Sequence, residues 1–242
     1  MKLLVDRDIL LYQFAFANEF ILKWSELVES KCIRPERAIF EVDNFIAGLV
    51  EMTKCDDHLI CLSDERNFRY TVLDSYKYNR PSERPELYSI IKKHFFEAHP
   101  VKTVSFLEAD DVMGILSTRY PGKFIVASID KDMRTVPGLL YNWNNKATET
   151  IKPEEADWFW MYQTLTGDTV DGYKGCPGIG PVKAKTILGD ADTLEVMWPR
   201  VVETYEAKGL TEDDALIQAR LARILRATDY DFKKKEVILW QP

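Results

Sequence analysis

Short apolar runs alternate along this chain with longer stretches of helical spacing. Leu3-Leu4-Val5 is compact and wholly apolar, which predicts a short buried strand. From residue 9 to 30, Leu10, Leu11, Phe14, Ala15, Phe20, Ile21, Trp24, Leu27 and Val28 keep a helical rhythm and predict one helix. Pro35 suits a first helical position and opens a second helix that runs to about residue 54. A strand over 58–63 follows, then a polar stretch (64–84), rich in Arg, Tyr and Asn and too mixed for a core element. Next come a helix near 86–98, a strand over 101–107, a helix over 109–119, and strands over 123–129 and 139–143. Strands alternating with helices predict βαβ crossovers, so the fold class is α/β, with a Rossmann-like, mainly parallel sheet flanked by helices.

Beyond Thr150 the character changes. Pro153 opens an aromatic helix (Trp158, Phe159, Trp160, Tyr162, Leu165) that Gly167 can end. Two or three more helices follow, including one over about 212–227, and 236–240 reads as an edge strand. The expected organisation is an α/β core over residues 1–150 and a helical module over 151–242. No internal repeat or low-complexity segment interrupts it.

Acids stand where these elements end. Asp6 follows the first strand and Asp64 the second. Glu108, Asp110 and Asp111 follow Val104-Ser105-Phe106-Leu107, and Asp130 and Asp132 follow the strand ending at Ile129. Asp168 and Asp171 follow the aromatic helix. In an open α/β sheet, residues past the carboxyl ends of the strands converge on one crevice. Nine carboxylates there raise one another's pKa and destabilise the fold unless cations offset them. Hard oxygen donors select Mg²⁺ or Mn²⁺. Two such ions about 4 Å apart suit phosphodiester hydrolysis. The plainer reading is that single acids decorate loops and that one or two of those at 108–111 answer the helix dipole; it does not account for the whole set.

The net charge of −7 argues against nucleic acid only at first sight. Removing those nine from 39 acids leaves 30 against 32 Lys+Arg. Cys32, Cys55, Cys61 and Cys176 form no CxxC pair and none has zinc spacing to a histidine, so reduced, packed thiols are expected. Without a leader pattern or an apolar run of roughly 18–20 residues, a soluble cytoplasmic protein is expected, in the host cytoplasm if a phage encodes it.

Two segments point to phosphate. In Gly172-Tyr-Lys-Gly175-Cys-Pro-Gly178-Ile-Gly180-Pro181-Val-Lys183-Ala-Lys185, glycines permit a tight turn and Pro181 starts the next helix. That helix N-terminus offers free N–H groups to a phosphate, and Lys183 and Lys185 add charge. This is the layout of a helix-hairpin-helix reader of DNA backbone, although Gly-Ile-Gly by itself also fits an ordinary connection. In Tyr76-Lys77-Tyr78-Asn79-Arg80, aromatics interleave with cations, as suits stacking on an unpaired base; a solvated loop is the plain alternative. Arg66 and Arg69 are further candidates for backbone contact.

At these residues the chain resembles the flap endonuclease superfamily of 5′-nucleases, in particular the 5′→3′ exonucleases of T-seven-like podoviruses. The resemblance rests on VDRDILLYQFAFANEF, SDERNFRY with SYKYNRP, LEADDVMGIL, SIDKDMRTVPG, TGDTVDGYKGCPGIG and the tail LARILRATDYDFKKKEVILWQP. It implies a Rossmann-like nuclease core with a helix-hairpin-helix module. It also implies Mg²⁺-dependent cleavage at 5′ ends, nicks and flap junctions of duplex DNA, and removal of primer RNA from RNA–DNA hybrids, by a monomer. By motif, Glu108, Asp110, Asp111, Asp130 and Asp132 would surround two Mg²⁺ ions with Asp6 and Asp64, and Mn²⁺ could substitute. Asp168 and Asp171 would complete the second ion's surroundings. Lys77 and Arg80 would hold the scissile phosphate, and Tyr76 would stack on the terminal base. The hairpin (Gly175, Gly178, Gly180) would grip duplex backbone, with K⁺ held by its carbonyls.

Two departures stand out. Arg7 follows Asp6 where many relatives have Gly, and the stretch from Arg80 to Pro100 is short for the helical arch of some relatives. Two rivals remain. A haloacid-dehalogenase-like phosphatase would use Asp6-Arg7-Asp8 but has no use for the GCPGIG hairpin. A non-catalytic, structure-selective DNA-binding protein would have lost one of the acidic motifs, and none is broken.

Overall fold

The computed structural model describes residues 1–79 and 83–242. In chain order the elements begin with β1 (Lys2–Asp6), α1 (Arg7–Ala17), β2 (Glu19–Lys23), β3 (Glu29–Ile33), α2 (Pro35–Thr53), β4 (Asp57–Leu62), α3 (Arg69–Val72) and α4 (Leu87–Ala98). They continue with β5 (Val101–Thr103), α5 (Ala109–Arg119), β6 (Phe124–Ala127), a 3-10 turn (Lys131–Thr135), β7 (Gly138–Asn142) and β8 (Ala147–Ile151). The rest comprises α6 (Pro153–Thr166), α7 (Pro181–Leu188), α8 (Leu194–Glu206), α9 (Glu212–Ala222), β9 (Tyr230–Asp231) and β10 (Glu236–Val237).

Among the described residues the central sheet runs β5-β4-β1-β6-β7-β8. All its pairings are parallel except β7 with β8. The parallel strands need crossover helices, which cover both faces. On one face α1, α2 and α4 bury Leu10, Leu11, Val42, Ile46 and Ile91 against Leu3, Val5 and Ile60. On the other, α5 buries Val112, Met113 and Ile115 against Leu4 and Val126, together with Ile224 and Leu225 from the chain's end. The C-terminal helices pack a third cluster around Trp160, Met161, Leu188, Met197 and Tyr205, which also takes in Tyr76.

The mainly parallel α/β sheet is therefore as expected, but several elements differ. Residues 9–30 are not one helix. Buried Asn18 stops α1, donating to the Phe14 carbonyl (3.1 Å) and to Glu41 Oε2 (2.8 Å). The chain then turns into an antiparallel ribbon pairing Glu19 with Ile33 and Lys23 with Glu29. Its apolar side chains face outward (Leu27 is 96% exposed), so their spacing does not mark a core face. The strand expected over 101–107 stops at Thr103, because the Asp64 carboxylate captures Phe106 N at 2.9 Å and bends the chain. The helix expected to reach 227 ends at Ala222, where Arg223 turns extended. The terminal strand pairs with β9 instead of edging the main sheet. β8 carried no strong sequence signal. Among the described residues no helix is long and apolar enough to cross a membrane.

Candidate active site

Parallel pairing places Asp6, at the end of β1, between the ends of β4 and β6. Its buried carboxylate accepts from Ser128 Oγ at 2.9 Å, just past β6. Burial, and then the charge of Asp8, raise it to about 7. Asp6, Asp8, Glu108, Asp110 and Asp130 line one cleft of about 340 Å³, with Ser63, Lys77 and Tyr12. A larger groove of about 490 Å³ beside α5 and β9 is lined by no carboxylate.

Within the cleft the acids differ sharply. Asp110 is pushed up by burial and by Asp111 and Glu108. Glu108 is buried too, yet Lys77 and Arg69 beside it overrule burial and hold it at about 2. Lys77 pairs with Glu108 and lies 3.6 Å from Asp171. Asp171 belongs to a second group. There Asp132 accepts from Gln163 Nε2 at 2.5 Å and is raised to about 7 by burial and then by Asp130. Asp168 accepts from Lys131 Nζ at 2.7 Å, which keeps its carboxyl low against the effect of burial. The two groups adjoin through Asp130 and are linked across Lys77. Oxygen donors in this number, several of them favouring protonation, suit divalent cations and disfavour soft metals.

The expected ligands differ in what their oxygens already contact. Asp64 accepts one backbone N–H on each oxygen, from Glu65 (2.8 Å) and Phe106 (2.9 Å). Asp111 is fully buried and chelates Arg69 at 2.7 and 2.8 Å. It also accepts from Leu225 N and Glu108 N. This fixes the start of α5, although one of its oxygens lies within 4.8 Å of Glu108 and Asp110 ligand atoms. Arg69 is correspondingly not a surface contact for DNA. It is 2% exposed and also donates to the carbonyls of Leu221 (3.1 Å) and Arg223 (2.6 Å).

Tyr76 is likewise corrected. Its ring is buried, and its hydroxyl lies 3.1 Å from both Glu108 and Asp171, with one proton to share between them, so it bridges acids and offers no face to a base. Tyr78, 72% exposed, offers such a face in the same segment. Arg80 lies outside the described residues. Arg66 is exposed and stacks over Phe106. Arg7 lies beneath the rings of Tyr88 and Phe95 and donates to Asp8 Oδ1 at 3.3 Å. Sequence reasoning missed Asp8 as a cleft residue, although its position two residues after Asp6 was a visible signal; Ser63 Oγ donates to it at 2.5 Å. It also missed Lys131, Gln163 and Ser128, which carry no motif of their own.

The glycine segment folds tightly against α6. Gly167 and Gly175 have positive φ, and their backbones cross so closely that a Cβ on Gly175 would lie 2.3 Å from Gly167 N. Asp168 pairs with Tyr173 across this turn. Gly178 and Gly180 lead into α7 with open space around them. Lys183 Nζ donates to the Gly178 carbonyl at 3.0 Å, and Lys185 is exposed on the same helix.

A parallel α/β sheet whose strand ends gather two adjoining groups of carboxylates beside a lysine defines a phosphodiester-cleaving hydrolase, a nuclease. Residues 1–157 match the family model of the 5′-3′ exonuclease N-terminal, resolvase-like domain, and the chain belongs to that family. It is 28% identical to the exonuclease of Escherichia phage T7, covering 99% of this chain and 93% of that protein. It is 29% identical to the exodeoxyribonuclease of Enterobacteria phage T3, over 99% and 92%. Its fold is similar to T5 5′-exonuclease with divalent metal ions (zinc) bound, at TM-score 0.70, 16% identity, and coverage of 92% of this chain and 89% of that one. A bacteriophage T5 flap endonuclease in a pseudo-enzyme–product complex with DNA and metal ions matches at TM-score 0.66, 16% identity, 94% and 89% coverage. The phosphatase reading of Asp6-Arg7-Asp8 is thereby set aside.

Proposed function

We propose that the chain cleaves phosphodiester bonds at 5′ ends, nicks and flap junctions of duplex DNA, and in RNA–DNA hybrids, as a Mg²⁺-dependent monomer of the cytoplasm. The observation that carries this reading is the pair of adjoining acid groups at the strand ends. Asp6, Glu108, Asp110 and Asp130 would hold one ion, and Asp130, Asp132, Asp168 and Asp171 the other, with Mn²⁺ able to substitute. When bound, such ions supply an activated water and stabilise charge on the leaving oxygen. Asp64 and Asp111 support these ligands by fixing the backbone around residues 106–108.

Lys77, which pairs with Glu108 and Asp171 between the two groups, would meet the scissile phosphate, with Arg80 three residues on. Tyr78 is the surface for the terminal base. The domain division falls near residue 150. The segment 167–185 acts as the helix-hairpin-helix grip on duplex backbone, through α7's N-terminus and Lys183 and Lys185, with K⁺ at the turn's carbonyls. α4, anchored by Leu87, Ile91 and Phe95, takes up much of the short stretch from Arg80 to Pro100, which leaves little chain for a helical arch.

The experiment is cleavage of 5′-labelled duplex, nicked, flapped and RNA–DNA substrates in Mg²⁺, then in EDTA. Loss of all products in EDTA and in Asp110→Ala, with DNA binding retained, supports the reading. Mg²⁺-supported turnover near normal in Asp110→Ala overturns the ligand assignment. Binding without cleavage of any substrate favours the DNA-binding alternative.

A further inference from the structure

The chain has three histidines, and all three meet at one place. His94 lies in α4, His99 caps that helix, and His58 stands near the start of β4. Asp43, from the middle of α2, faces them. His94 Nε2 and His99 Nε2 approach the same carboxylate oxygen of Asp43, at 2.8 and 2.9 Å. Behind them His99 Nδ1 meets His58 Nε2 at 3.0 Å. Because β4 runs from His58 toward Asp64, this cluster sits at the opposite end of the sheet from the acid cleft, about 20 Å away at roughly 3.3 Å per strand residue.

We propose that Asp43, His94 and His99 form a second metal site, for Zn²⁺ or a similar borderline divalent ion, with His58 supporting His99. Two imidazole nitrogens and one carboxylate suit such an ion and do not suit Mg²⁺. The three ligand atoms lie within 4.8 Å of one another. A tetrahedral Zn²⁺ bonded at about 2.0–2.1 Å sets its ligands roughly 3.3 Å apart, so each imidazole nitrogen, now 2.8 or 2.9 Å from the Asp43 oxygen, moves out by roughly 0.5 Å to admit it. The rings are mostly covered (18% and 10% exposed) while Asp43 is 40% exposed, which leaves one side for a water as fourth ligand. With Nε2 on the ion, His99 carries its proton on Nδ1 and donates it to His58, the hydrogen bond that commonly orients a ligating imidazole. Such a site ties α2 to α4 and, through His58, to the sheet. It is a staple, not part of the cleavage chemistry.

The test follows the imidazole ¹⁵N resonances of the EDTA-stripped chain while Zn²⁺ alone is added. With three histidines the spectrum is fully assignable, and ions held only by the carboxylate cleft leave it unchanged. Ligation moves Nε2 of His94 and His99 at stoichiometric Zn²⁺ and leaves both His58 nitrogens unligated. Asp43→Asn, which keeps an oxygen acceptor, and His94→Gln each weaken this binding by at least about tenfold, and Mg²⁺-dependent cleavage by His94→Gln stays unchanged. Imidazole signals that hold still to tenfold excess Zn²⁺ in the unsubstituted chain overturn the proposal and leave a hydrogen-bonded clasp. Zn²⁺ affinity equal in all three proteins also overturns it.

Discussion

The joint between the acid cleft and the C-terminal helices rests on Arg69 and Asp111, and Arg69→Met tests it. The guanidinium meets both Asp111 oxygens, at 2.7 and 2.8 Å, and also donates to the carbonyls of Leu221 and Arg223. Both side chains are buried, at 2% and 0% exposure. Methionine keeps much of the volume and removes the charge. Asp111 is then left with only two backbone N–H groups, from Leu225 and Glu108. Removing one partner of a buried ion pair costs about 3–5 kcal/mol, since the other charge stays desolvated. The double variant Arg69→Met/Asp111→Leu removes both charges, and a well-packed apolar pair is often neutral relative to a buried ion pair. The double variant is therefore expected to be more stable than the single one by at least about 1 kcal/mol, within the usual range of coupling between contacting residues. Urea unfolding followed by tryptophan fluorescence reads both as shifts of midpoint at constant slope. A loss below about 1 kcal/mol in Arg69→Met, or a double variant no more stable than the single, refutes the reasoning.

Metal and pH are linked with a definite sign. Asp6 and Asp132, each raised to about 7, hold protons in the metal-free fold that the unfolded chain has released above about pH 4, so their contribution to stability falls as pH rises from 4 to 7. Mg²⁺ must displace those protons, so at one fixed concentration its stabilisation grows from pH 5.5 to 7.5, toward about 2.7 kcal/mol at 100 times its Kd. Equal gains in Tm at both pH values contradict this. Lys183→Ala/Lys185→Ala should weaken duplex binding on unrelated sequences alike and flatten the log K against log[salt] slope by roughly 0.9 per lost contact; an unchanged slope excludes α7 from the interface. Gly175→Ala should cost more than about 2 kcal/mol, because positive φ and a 2.3 Å clash act together, whereas Gly178→Ala meets open space and should cost about 1–2 kcal/mol. Equal losses by thermal unfolding would show that the crossing can relax.

The sequence determined the mainly parallel sheet and the acids that come after its strands. Local physics suffices there: short apolar runs must be buried, and a parallel sheet sends every strand's carboxyl end to the same side. It also determined the tight glycine turn after α6, where Gly167 and Gly175 adopt positive φ that other residues resist. Tertiary structure decided what each acid contacts. Asp64 and Asp111 look identical to Asp6 and Asp110 along the chain, yet their oxygens are taken by Phe106 N and by an arginine 42 positions away. Tertiary structure also turned Tyr76 inward, into the cluster formed by α6 to α9, and made Arg69 an internal counter-ion between the start of α5 and the end of α9, contacts that no local pattern specifies. The outward-facing apolar ribbon at 19–33 was misread for the same reason: spacing reports periodicity, and only packing reports which side is buried.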